Sequence, residues 1–278
     1  MNDFLCIQSP AKLNLFLHIT GRRPDGYHEL QTIFQLIDYA DTLEVIRRAD
    51  GELTLDCDLS VLNTDDNLIL RAARALRDAT GCKEGASIRL HKRIPMGAGL
   101  GGGSSNAAST LLALNFLWQT RLDTAQLCTL GLRLGADVPL FVRGESAWAE
   151  GVGERLSPVL LPPRFFVVIC PDCHVSTGDI FSNEELTRQT SAIKMAAFLA
   201  GHTRNDCENL VRSLYPPVDE ALEWLAQHGP ARMTGTGSSI FAGFDSEDEA
   251  ARVLALRPSH LKGFTARGLQ RSTALIPA

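Results

Sequence analysis

The chain has 278 residues, 45% of them hydrophobic and 21% charged, with a net charge of -5. That length can bury a large core in one or two domains. The acidic balance argues against a general nucleic-acid surface, no apolar run reaches the ~18 residues of a membrane span, and the amino terminus lacks a signal-peptide pattern, so neither nucleic acid nor membrane is an expected partner.

The first half alternates strand-like runs with helices. LNLFLHI, QTIFQLI and TLEVI read as three strands and ELTLDC as a fourth. Asp65, Asp66 and Asn67 sit where helix caps belong, ahead of a helix expected from about Asp66 to Thr80 and closed by Gly81. After the strand-like SIRLHKRI, five glycines fall between Gly97 and Gly103 in PMGAGLGGGSSNAAS, and a helix with one buried face follows. A further helix is expected from about Thr124 to Leu134, and FVRGESAWAEG reads as a hairpin. Pro162 and Pro163 mark the expected boundary between two domains, 1–161 and 162–278. Beyond it come the apolar strand FFVVIC, a helical stretch near Ala192 to Ala200, ENLVRSL, a helix from Val218 to His228, and a strand-helix-strand run ending at Gly268. Strands mixed with helices, without strict alternation, point to an α+β fold.

The glycine cluster is destabilising unless the backbone must turn sharply or approach something closely. Its position before a helix N-terminus, with unpaired amides and partial positive charge, makes phosphate the first expectation. The Walker pattern fails, because Ser104 and Ser105 follow Gly103 with no lysine before them. The dinucleotide pattern can be read from Gly97 to Gly102, but the acidic residue it expects about twenty positions on falls within a helix.

Other segments are more polar than their settings. Lys12 and Asn14 alternate in PAKLNL and share one strand face, where an edge lysine would simply reach solvent. GRRPDGYHE is a turn by composition, with Tyr27 and His28 at its exit; GADVPLF places Asp137 where a plain helix cap is the default; MTGTGSS is a second glycine-rich turn. Seven scattered cysteines fit a reducing cytoplasm better than a disulfide framework. Cys170-Pro-Asp-Cys173-His174 matches redox and haem-attachment patterns, with coincidence at a strand end the preferred reading and a redox or haem protein the alternative.

In order along the chain, PAKLNL, RPDGYHEL, PMGAGLGGGSSNAA, GADVPLF and TGTGSSIFAGF resemble the GHMP family of small-molecule kinases over nearly the whole length. PAKLNL followed by RPDGYHEL, together with DNLI and NDCE, narrows the likeness to the branch acting on 4-diphosphocytidyl-2-C-methyl-D-erythritol. The resemblance implies a two-domain α+β fold with the active site in the cleft between the domains, ATP and Mg2+ as cofactors, and phosphorylation of that alcohol. It implies that Lys12 and Asp137 are catalytic and that Pro95, Met96, Gly97, Ala98, Gly99, Leu100, Gly101, Gly102, Gly103, Ser104 and Ser105 bind ATP, with Asn67 and Lys92 at its base. Ser104 and Ser105 are also candidates for magnesium. Asn14, Tyr27, His28, Asp137, Thr177 and Phe181 would hold the acceptor. The family often has proline where Gly178 stands. Homoserine or mevalonate kinase, and a non-catalytic binder on the same fold, are the alternatives; a monomer and a homodimer fit the sequence equally.

Overall fold

Two long strands frame the computed structural model, which describes residues 3–272 and residue 274. β1 (Phe4–Arg22) and β2 (His28–Arg48) pair antiparallel. The runs QTIFQLI and TLEVI, expected as separate strands, are one strand of 21 residues. The polar stretch between them stays extended because the register shifts: Pro10 faces Ala40 while Ala11 faces Ile37, a bulge that absorbs Asp38 and Tyr39.

β3 (Leu53–Cys57) leads to α1 (Leu68–Thr80), which is capped by Asn67 and closed by Gly81 in the left-handed conformation. β4 (Gly85–His91) pairs with both β2 and β3. α2 (Gly102–Leu117) is buried on nearly every side rather than on the one face expected, because its small Gly, Ala, Ser and Thr residues let neighbours pack close all round it. α3 (Thr124–Leu132) carries a capping box between Asp123 and Gln126, and α4 (Val138–Arg143) follows. The expected hairpin lies further along: Phe141–Arg143 belongs to α4, Gly144 ends it at φ +64°, and the hairpin joins β5 (Ala147–Gly151) to β6 (Arg155–Pro158).

The second half begins with β7 (Phe165–Cys170) and α5 (Thr177–Ser182), then α6 (Met195–Leu199), α7 (Glu208–Leu214) and α8 (Pro216–Ala226). β8 (Arg232–Met233), β9 (Ile240–Phe244), α9 (Glu247–Ala255) and β10 (Lys262–Leu269) complete it. Strand order runs β3-β4-β2-β10-β7-β9-β8, so β10 returns to join the halves by pairing with β2 at Leu36 and Ile37. One apolar core packs α1 and α2 against the first half's strands, and a second packs α7, α8 and α9 against β7 and β9. A third, containing Leu13, Ile94, Leu100 and Phe166, fills the space between. Among the described residues no helix is long and apolar enough to cross a membrane.

Candidate active site

Alternation along β1 sends Lys12 and Asn14 to one face while Leu13 enters the core on the other. Lys12 does not behave as an edge lysine, being only 4% exposed. Its Nζ donates to Asn14 Oδ1 (2.6 Å) and the Gly99 carbonyl (2.8 Å), sits 5.5 Å above the Phe34 ring, and lies 3.6 Å from Asp137 Oδ2. Asn14 is itself oriented, since its Nδ2 donates to Thr32 Oγ1 (3.0 Å). Burial pulls the Lys12 ammonium below its ordinary pKa, and the Asp137 carboxylate opposes that shift. Asp137 stands at the cap position of α4, yet its side chain caps nothing; Pro139 in the first turn offers no amide to receive it, and the carboxylate faces Lys12 instead.

The glycine loop meets these two residues from the other side. Gly97, Gly99 and Gly101 have φ of +62°, +74° and +72°, a region that side chains rarely adopt. Space forbids side chains too: a Cβ on Gly97 would stand 2.3 Å from His174 Nδ1, and one on Gly99 2.3 Å from the Thr234 carbonyl. Gly101 precedes α2 and supplies no side-chain cap, so the first amides of a 16-residue helix have no side-chain acceptor. Left-handed residues alternating ahead of a helix N-terminus turn backbone N–H groups to a common point, a natural anion cradle.

The second glycine-rich turn backs this cradle. Ser239 N donates to the Ala98 carbonyl (3.2 Å), and Thr234 Oγ1 accepts from Asn14 N (2.9 Å). NDCE holds the turn in place: Asn205 Nδ2 donates to the Met233 and Gly235 carbonyls (2.8 and 2.7 Å), and Glu208 Oε2 accepts from Met233 N (2.8 Å).

Lys92 lies just beyond β4, where its Nζ is 2.7 Å from Asp41 Oδ2; the two side chains are 6% and 0% exposed. Asp41 Oδ1 also accepts from the amides of Arg93 and Ile94, both at 2.7 Å. Asn67 spends its side chain on structure, accepting from Ile69 N (2.9 Å) and donating to the Leu62 carbonyl (2.8 Å).

The opposite end is aromatic. Tyr27 is 64% exposed, whereas His28 is buried and stacks on Phe181 with centroids 4.9 Å apart and planes 23° from parallel. Phe181 and Thr177 come from α5, whose cap Ser176 accepts from Asp179 N, and the Thr177 hydroxyl bonds to Thr236 Oγ1 (2.9 Å). Burial, then Arg188 and Arg22, hold the His28 imidazole below its ordinary pKa.

One cavity of about 1080 Å³ joins both ends. Lys12, Asn14, Tyr27, His28, Asn67, Lys92, the run from Pro95 to Ser104, Asp137, Thr177 and Phe181 all line it. Ser105 does not: it is fully buried, and its Oγ has no hydrogen-bond partner among the described residues. Phe34, Thr236 and Asp41 were missed from the sequence. Phe34 and Asp41 sit mid-strand, marked only by alternation, and Thr236 lay in a turn whose composition alone explained it. Cys170 and Cys173 are free, and burial raises both thiols, so neither is poised as a thiolate. The segment after them delivers His174 to the face of Gly97. No group of three metal-ligating side chains occurs among the described residues.

The model of the GHMP kinases N terminal domain matches residues 67–145, and that of the GHMP kinases C terminal matches 184–259. A 4-diphosphocytidyl-2-C-methyl-D-erythritol kinase of Alkalilimnicola ehrlichii is 55% identical over 267 residues, covering 96% of this chain and 92% of the relative. A crystal structure of 4-(cytidine 5'-diphospho)-2C-methyl-D-erythritol kinase superposes with a TM-score of 0.82 at 36% identity, over 95% of this chain and 99% of the other. Homoserine kinase from Cytophaga hutchinsonii, at 16% identity and a TM-score of 0.66 over 99% and 97% of the two chains, shares the fold alone.

Proposed function

We infer that this chain, which belongs to the GHMP kinases and within them to the 4-diphosphocytidyl-2-C-methyl-D-erythritol kinases, phosphorylates the 2-hydroxyl of that alcohol with ATP, giving the 2-phosphate and ADP in the non-mevalonate route to isoprenoid precursors. It is an ATP-dependent small-molecule kinase. The observation that carries the reading is that a single cavity holds both the uncapped glycine cradle and the Lys12–Asp137 pair.

Phosphoryl transfer asks for alignment and charge neutralisation more than covalent help. Amides from Gly97 to Ser104 replace water around the ATP phosphates, with the base toward Asn67 and Lys92. Asp137 accepts the proton of the attacking hydroxyl as the new P–O bond forms. Lys12 fixes the Asp137 carboxylate and is itself fixed by Asn14 and the Gly99 carbonyl, so the acid, the hydroxyl and the phosphate loop share one anchor. Tyr27 and Phe181 enclose the pyrimidine, His28 addresses its polar edge, and Thr177 and Asn14 complete the acceptor site.

Magnesium suits this donor set, because the ion keeps several waters and takes only one or two protein oxygens besides phosphate. Ser104, which lines the cavity, would hold it in preference to the buried Ser105, and Asp137 lines the same cavity. When bound with ATP it neutralises charge on the transferring group.

Division near residue 161 gives one domain carrying the phosphate loop, Lys12 and Asp137, and another carrying the substrate loop and the second glycine turn. Seven unpaired cysteines favour a cytoplasmic setting.

The test is ADP release from ATP and magnesium with the cytidyl alcohol beside homoserine and mevalonate. ADP with the cytidyl alcohol alone is expected. Turnover of another alcohol would reassign the substrate, and ATP binding without turnover of any would make the chain a binding protein.

A further inference from the structure

Arg188 did not emerge from the sequence as a site residue, and it does not line the main cavity. It lies eleven residues past Thr177, half-buried, and has no carboxylate partner among the described residues. Its donors go elsewhere. Nε donates to His28 Nε2 (3.1 Å), Nη2 to the carbonyls of Phe181 (3.0 Å) and Asn183 (2.5 Å), and Nη1 to those of Leu186 (3.1 Å) and Glu184 (3.4 Å). Phe181 and Asn183 lie at the C-terminal end of α5, where carbonyls have lost their helical partners and a cation is favoured. One guanidinium therefore ties together the backbone that carries Phe181 and the ring stacked on it.

The contact with His28 has a chemical consequence. A guanidinium can only donate, and it keeps its proton across the whole physiological range. Nε2 must then offer its lone pair, which puts the ring proton of a neutral imidazole on Nδ1. A second proton would set N–H against N–H and place two cations side by side in a buried site. His28 lines the cavity, and Nδ1 has no protein partner among the described contacts.

We propose that Arg188 is the positioning residue of the pyrimidine site: it locks His28 as the neutral Nδ1–H tautomer, a fixed donor for a ring acceptor, and anchors the α5 wall against which the base stacks. The proposal rests on the functional reading above for the identity of the base, but not for the tautomer. A fixed donor suits the unprotonated ring nitrogen and carbonyl of cytosine. It disfavours a base that presents a ring N–H at the same place, so Arg188 acts on specificity through His28 without touching the ligand.

Two readouts test this. Imidazole 15N NMR of the free, full-length protein is expected to show His28 with Nδ1 protonated and Nε2 bare, and Arg188→Met is expected to give a mixture of tautomers. In steady-state assays Arg188→Met should raise the KM for the cytidyl alcohol about tenfold, the worth of one neutral hydrogen bond, and leave the KM for ATP unchanged. Arg188→Lys keeps the charge without the fork, and should recover less than half of that loss on a logarithmic scale. A wild-type His28 protonated on Nε2, or an Arg188→Met protein with unchanged tautomer and unchanged KM, overturns the proposal. Should Arg188→Met not fold, the wild-type tautomer and Arg188→Lys decide it. Failure to turn over the cytidyl alcohol would instead defeat the functional reading and leave the tautomer result standing.

Discussion

The two ends of the cavity are built in opposite ways. Around the phosphate cradle the anchoring groups come from the interior: Lys12 from the middle of β1, the glycines from the lead-in to a largely buried α2, and Lys92 held by a wholly buried Asp41. Around the aromatic end Tyr27 is largely exposed, and Phe181 rides on a six-residue helix whose cap, C-terminus and neighbour are all tied by side chains. Chemistry that needs ångström placement sits on rigid elements; recognition, which must admit and release a ligand, sits on short ones stitched by polar contacts.

That contrast can be broken most severely at the reacting centre. Asp137→Asn or Lys12→Ala should lower kcat by about 10² to 10⁴-fold while circular dichroism and the unfolding midpoint show a folded protein; near-normal turnover in either variant would remove that residue from the mechanism. Asp41→Ala attacks the same end through stability. It leaves the Lys92 ammonium without its counter-ion, with only the Ile94 carbonyl as a partner among the described residues, beside two amides that lose their acceptor, and the expected cost is about 3–5 kcal/mol by urea denaturation. A loss below about 1 kcal/mol would mean that Lys92 finds water, and that this end is less closed than its burial suggests. At the aromatic end the effects should be smaller and selective: Tyr27→Ala and Phe181→Ala should raise the KM for the cytidyl alcohol by about 5- to 100-fold, the worth of stacking one base, with the KM for ATP nearly unchanged. Parallel losses for both substrates would erase the distinction between the ends.

The same contrast explains what could be read from the residues alone. The glycine loop and its helix were legible because glycine has few other reasons to cluster, and the cap signal spread over Asp65, Asp66 and Asn67, with the Gly81 stop, brackets α1 within two residues, although only the structure singles out Asn67 as the cap. Lys12 and Asn14 were legible as face-sharing neighbours, since strand geometry fixes alternation. Their burial was not, because it depends on α2 and Asp137 arriving from elsewhere. Asp41 and Arg188 act through partners 51 and 160 residues away, separations that leave no local trace. The misplaced hairpin has a plainer cause: PLFVR followed by Gly144 carries a helix-stop signal that the strand-like FVR concealed.

The abutting glycine turns have a consequence for recombination among related genes. Gly99 leaves no room for a Cβ because the Thr234 carbonyl stands against it, and Ser239 reaches back to the Ala98 carbonyl. The phosphate loop of one half is thus a cast of the turn in the other. A chimera that joins the first half of this chain to the second half of a distant relative would bring together two casts never matched to each other. Such exchanges should succeed only when the crossover carries both turns as a set, which makes the two turns one heritable unit despite the separation of 135 positions between Gly99 and Thr234.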